Sequence, residues 1–115
     1  MVEAGNNYYI NSTSVKAKYP YEEELGFKDY SPPYLDPSTT GDVILKGVNY
    51  ASAGSGILNS TGHIVGVHRS MSIQVSNFAK TRQEIISRIG EAAAKKLLRQ
   101  ALYFVLIGSN DICFN

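Results

Sequence analysis

The chain is short of the residues on which several large protein classes depend. Among its 115 residues there is one cysteine, Cys113, so no internal disulfide can form, and no metal-ligand spacing surrounds that thiol. The two histidines, His63 and His68, stand in a glycine-containing segment, match no helical zinc pair and offer no third ligand. No metal and no cofactor is expected. The formal net charge is only +1, which argues against a dominant role on nucleic acid or an anionic membrane. The one basic cluster, Lys95-Lys96 with Arg99, suits the solvated face of a helix. No apolar run reaches the length that spans a bilayer. Met1-Val2-Glu3-Ala4-Gly5 lacks the basic start and apolar stretch of a signal peptide, so the chain as written is expected to be cytoplasmic.

What remains has the apolar and charged content of a soluble globular domain, and the length suits one domain with a modest core. Residues 1–40 are loop-rich, with Gly5-Asn6-Asn7, Pro20, Pro32-Pro33, Pro37 and six tyrosines. Glu22-Glu23-Glu24-Leu25-Gly26-Phe27 reads as the last turn of a helix stopped by Gly26. The chain before it, Lys18-Tyr19-Pro20, reads as extended, so this helix end has no beginning. Asn11-Ser12-Thr13 and Asn59-Ser60-Thr61 match the N-glycosylation acceptor pattern, which has meaning only in the secretory pathway.

From Gly41 the pattern becomes regular. Asp42-Val43-Ile44-Leu45-Lys46 is apolar but too short to classify. Gly47-Val48-Asn49-Tyr50-Ala51 reads as a strand running into Ser52-Ala53-Gly54-Ser55-Gly56. Small residues after a strand let backbone N–H groups approach a ligand or a developing negative charge. The spacing is neither a dinucleotide fingerprint nor a P-loop, and taken alone it is a plain turn. Residues 71–89 carry Met71, Val75, Phe78, Arg82, Ile85 and Ile89 at steps of four and three, with Ile86 beside them. That spacing predicts a helix with a core-facing stripe, interrupted only by Arg82. Gly90 is its stop, and Glu91 begins a second helix through Gln100, with its carboxylate near the positive end.

Phe104-Val105-Leu106-Ile107 reads as a short buried strand, stopping in Gly108-Ser109-Asn110-Asp111. Those four are ordinary turn residues, but the carboxyl edge of an α/β sheet is also where catalytic groups collect. Strand, small-residue loop, two helices, strand and polar turn make a βαβ-type crossover, which predicts parallel strands whose carboxyl ends share one rim. A glycine-loop N–H and the Asn110 amide could then converge as an oxyanion hole.

The ordered set resembles the plant GDSL esterase/lipase family, a branch of the SGNH hydrolases. Gly47 through Leu58 is similar to that family's second block, and Ile107-Gly108-Ser109-Asn110-Asp111 to its third. Gln74-Val75-Ser76-Asn77-Phe78 and Thr81-Arg82 also fit. The resemblance implies an α/β fold: a fragment of a flavodoxin-like three-layer α/β/α sandwich with a parallel sheet, the SGNH hydrolase fold. One partial domain, 1–115, would comprise the loop-rich 1–40, the block-two loop 47–58, the helices 71–100 and the block-three strand and turn 102–111. It implies hydrolysis of carboxylic esters, with a small ester or lipid as substrate, no nucleic acid, no membrane span and a secreted location.

Residue by residue, the resemblance carries over the oxyanion hole only. Asn110 matches the asparagine whose amide donates to the oxyanion, and Gly54 the block-two glycine, with Gly56 as the alternative. Gly5-Asn6-Asn7 matches the segment after Gly-Asp-Ser-Leu, which puts Met1 in the register of that block's Leu and the nucleophile just before it. Ser52, Ser55 and Ser109 do not match the nucleophile, nor His63 and His68 the base. No Asp-x-x-His occurs in the 115 residues. The family also has a further segment between the equivalents of Pro20 and Tyr21. Two functional readings follow, an ester hydrolase by lineage that is inactive as written, or a non-catalytic remnant that binds something. A third, an unrelated small α/β binding domain, fits the two ordered blocks poorly. Unpaired sheet edges and uncovered helix faces predict marginal folding.

Overall fold

The computed structural model describes Gly26, residues 31–62 and residues 68–113. The Glu22–Phe27 helix end, Gly5-Asn6-Asn7, Asn11, His63 and most of the loop-rich 1–40 segment therefore lie outside the described residues, Gly26 excepted.

Three helices and a 3-10 turn carry the described architecture. The apolar segment that was too short to classify forms the 3-10 helix Gly41–Leu45. Helix α1 spans Met71–Ile89 and helix α2 spans Glu91–Gln100, the bounds the periodicity predicts. Between them Gly90 takes φ 84° and ψ 160°, a conformation only glycine adopts cheaply. Its N–H closes α1 on the Ile86 carbonyl at 2.9 Å, while its own carbonyl accepts from Ala94 N at 2.9 Å as α2 begins. One residue thus ends one helix and starts the next.

The core lies where the two helices meet the 3-10 turn. Ile44, Ile85 and Ala94 are buried together, with Leu45, Val48, Ile86, Ile89, Leu97 and Leu98 packed around them. Ala94 is fully buried, and its small side chain lets α2 lie close on α1. Glu84 of α1 accepts from Thr40 Oγ1 at 3.1 Å and Gly41 N at 3.4 Å, and Arg88 pairs with Asp42 at 3.1 Å. That ion pair is solvent-exposed and contributes roughly 0–1 kcal/mol.

The predicted stripe is correct at its carboxyl end and rotated at its start. Ile85 is buried and Phe78, Ile86 and Ile89 are half-buried, but Val75 is 55% exposed and Thr81 takes a buried place. A polar residue holds that inward position because the Thr81 hydroxyl donates to the Asn77 carbonyl one turn back, at 3.3 Å. An aromatic row runs beside it: Tyr34 to Tyr50 at 5.6 Å, Tyr50 edge-on to Phe78 at 5.9 Å, and Phe78 edge-on to Tyr103 at 5.8 Å. Burial pushes the Tyr50 phenol up to about 12, against the opposing pull of its hydrogen bond with Thr81.

The described residues contain no strand ladder. Residues 47–51 meet residues 32–34 in a single parallel bridge, Pro33 with Asn49, where Asn49 N donates to Pro32 O and Tyr34 N to Asn49 O, both at 2.9 Å. Phe104-Val105-Leu106-Ile107, read from sequence as a buried strand, runs without helix or ladder: Leu102 through Leu106 are 54–69% exposed and Ile107 is half-buried. Nor is Gly108–Asp111 a simple turn. Ser109 opens the short helix α3, Ser109–Cys113, directly behind Gly108 at φ 115°. The apolar run is long enough for a strand, but apart from the Tyr103 ring against Phe78 and the half-buried Ile107 it stays more than half exposed.

Candidate functional site

Although no ladder joins the two predicted strands, the loops that follow them touch. The block-two segment folds into a tight knot over residues 52–62. Ser55 N donates to Ser52 O at 3.2 Å, closing a turn through Gly54, which sits at φ 73°. Gly62, at φ 82°, packs so closely on the Gly54 carbonyl that a side chain there would overlap it. Thr61 is fully buried between Gly56 and Asp111.

The knot is fastened to the start of α1. Arg69 N donates to Ser52 Oγ at 3.1 Å, Met71 N to the Gly56 carbonyl at 3.0 Å, and Gln74 Nε2 to Ser55 Oγ at 3.1 Å and to Arg69 O at 2.8 Å. Met71 N is one of the unsatisfied donors that every helix N-terminus exposes, and the loop supplies its acceptor. Ser52 and Ser55 are buried, and their hydroxyls hold this junction.

From the other side the knot is gripped by α3. Asn110 Nδ2 donates to the Ser55 carbonyl at 2.8 Å. Next to it, the Asp111 carboxylate accepts from Ile57 N at 2.9 Å through one oxygen, and from Leu58 N at 3.0 Å and Thr61 Oγ1 at 2.7 Å through the other. These donors hold the Asp111 carboxyl below its ordinary range, with the Leu58 N–H the largest cause, then Thr61 and the Ile57 N–H. Among the described residues, the N–H groups of Gly54 and Gly56 donate to nothing. The arrangement places two glycine N–H groups that have no acceptor among the described residues on either side of the Ser55 carbonyl that Asn110 binds.

Asn110, Gly54 and Gly56 are therefore brought into one cluster. Ser109 is exposed at the start of α3, His68 is half-buried near Gly62, and Cys113 is exposed. Among the described residues no group of three or more His, Cys, Asp or Glu could hold a metal ion, and no helix is long and apolar enough to cross a membrane. Sequence reasoning missed Asp111 and Thr61 as the fastening of the knot. Asp111 stood in the block-three motif and Thr61 in a glycosylation triplet, and only contact across 50 residues of chain joins them.

Comparison with known proteins assigns the class: the chain belongs to the plant GDSL esterase/lipase family. It is 44% identical over 137 positions to the GDSL esterase/lipase At4g16230 of Arabidopsis thaliana, with the whole of this chain and 37% of that protein aligned. It is also 44% identical over 142 positions to At3g50400, and 45% identical over 83 positions to At1g74460, both GDSL esterase/lipases of Arabidopsis thaliana. The second of these covers 38% of At3g50400, and the third covers 71% of this chain and 23% of At1g74460. The chain spans little more than a third of the length of the relatives it matches throughout. The longer alignments exceed its 115 residues, so those relatives carry residues that have no counterpart here. No family model matches the chain, and no solved structure does. Membership implies the SGNH hydrolase fold, while a parallel sheet has no strand to represent it among the described residues.

Proposed function

We propose that these residues supply the oxyanion-binding wall of a GDSL-type hydrolase of carboxylic esters, with a small ester or lipid as substrate. Asn110 offers its side-chain amide, and Gly54, or Gly56 in its place, offers a backbone N–H. The observation that carries this reading is the 2.8 Å hydrogen bond from Asn110 Nδ2 to Ser55 O. It uses one N–H of the amide, sets the plane of the side chain, and leaves the second N–H for an acceptor.

Such donors work on the tetrahedral intermediate of acyl transfer, where the carbonyl oxygen becomes an anion. Each one in place is worth about 2.7–4 kcal/mol, because it is oriented before the charge develops. The nucleophile and its base are further requirements. Neither Gly-Asp-Ser-Leu nor Asp-x-x-His occurs in the 115 residues, so the chain by itself is expected to turn over no ester. Purified chain incubated with p-nitrophenyl acetate should release nitrophenol no faster than an unfolded control, and clear turnover would refute that expectation. In a full-length relative, replacing the asparagine aligned with Asn110 by Ala should lower kcat about 10²–10³-fold with little change in KM. Unchanged kcat would remove the oxyanion role.

A second reading takes the chain as a non-catalytic remnant. The gene sequence upstream of Met1 separates the two. In-frame Gly-Asp-Ser there indicates an enzyme with a longer chain, and a stop codon indicates the remnant. Secretion belongs with the enzyme reading, and glycan on the exposed Asn59 of the protein purified from its source would report it.

A further inference from the structure

We infer that Asp111 is a positioning residue whose carboxylate sets the block-two loop in register with the Asn110 amide. This rests on the oxyanion reading of Asn110 and extends it to the neighbouring side chain. Asn110 holds the carbonyl of Ser55, while Asp111 holds the N–H groups of Ile57 and Leu58 and the hydroxyl of Thr61. Two adjacent residues thus grip the loop on either side of Gly56.

The fit leaves no slack. A Cβ on Gly56 would lie 2.7 Å from Asp111 Oδ1 and 2.5 Å from Thr61 Cγ2, so the carboxylate occupies the space a side chain would need. Two consecutive backbone N–H groups, one on each carboxylate oxygen, fix the loop in rotation as well as in distance. A single neutral hydrogen bond would leave the loop free to pivot about Ser55. An ionised carboxylate is acceptor-only and can satisfy all three donors at once, whereas an amide of the same shape presents an NH2 group to one of the N–H donors.

Asp111→Asn and Asp111→Ala in the 115-residue chain, followed by NMR, test the grip. The Ile57 and Leu58 amide protons should exchange with solvent about tenfold faster or more, while Ile85 and Ala94 keep their protection. In a full-length relative, Asn at the aligned aspartate should lower kcat about 10–100-fold with KM within about twofold, because a loop displaced by ~1 Å misplaces its donor. Glu at that position, which keeps the carboxylate, should recover part of the loss. Unchanged exchange at Ile57 and Leu58, or unchanged kcat in the relative, overturns the inference. So does loss of protection throughout, Ile85 and Ala94 included, which would mark Asp111 as a general support of the fold. An Ala at the asparagine aligned with Asn110 that leaves kcat intact would instead remove the oxyanion reading, with the exchange result on Ile57 and Leu58 still standing.

Discussion

A methyl group on Gly56 would overlap both Thr61 and Asp111, and neither neighbour is the loose end of a long side chain. Gly56→Ala should therefore destabilise the loop by about 1–3 kcal/mol, the usual range for overpacking. Chemical shifts and amide exchange at Ile57, Leu58 and Thr61 should change together, and an unaltered loop spectrum would disprove this. The Asp111 carboxyl gives a pH dependence of known sign. Its folded pKa lies below the unfolded value near 3.8, so its contribution is fully present above that value and is lost as pH falls through the folded pKa. Acid titration should release the Ile57 and Leu58 amides below about pH 3.8, the ordinary value. In Asp111→Asn that step should be absent.

At the scale of elements, α1 and α2 were legible because their signals are local. Apolar spacing, Gly90 as a stop and Glu91 as a start all reside within a few residues of the boundaries they set. The placing of Thr81 rather than Val75 on the inward face was not legible. It depends on how α1 lies against the 3-10 turn and the Tyr50 ring, which is a tertiary matter. The joint itself can be tested at Ile85, which is buried in the small cluster with Ile44 and Ala94. Ile85→Ala should cost about 2–5 kcal/mol, enough to separate α2 from α1. Helical circular dichroism at 222 nm should fall sharply at 25 °C, and a variant with wild-type ellipticity and midpoint would contradict the packing described.

At the scale of the whole molecule, the balance among the described residues is unfavourable. The buried hydrophobic core among the described residues is Ile44, Ile85 and Ala94, while Leu102, Tyr103, Phe104, Val105 and Leu106 stand more than half exposed. A core that small offsets little of the conformational entropy lost on folding, so a broad, low-temperature thermal transition is expected. The same exposed row should bind a dye such as 8-anilinonaphthalene-1-sulfonate in the native buffer. A sharp cooperative transition without dye binding would show that cover exists elsewhere in the chain.

The sequence by itself determined both long helices, the glycine joint between them and the family, because periodicity, caps and ordered motifs are written along the chain. It also marked the two segments of the candidate site, residues 47–58 and 107–111, without showing how they are held. Tertiary structure alone decided that Asn110 meets Ser55 and that Asp111 collects Ile57, Leu58 and Thr61. Those partners lie more than 45 residues apart, and hydrogen bonds across such a distance leave no periodicity to read. It likewise decided that Leu102 through Leu106 stand exposed, outside any helix or ladder. An apolar run specifies only that it should be covered, and the cover must come from another part of a fold.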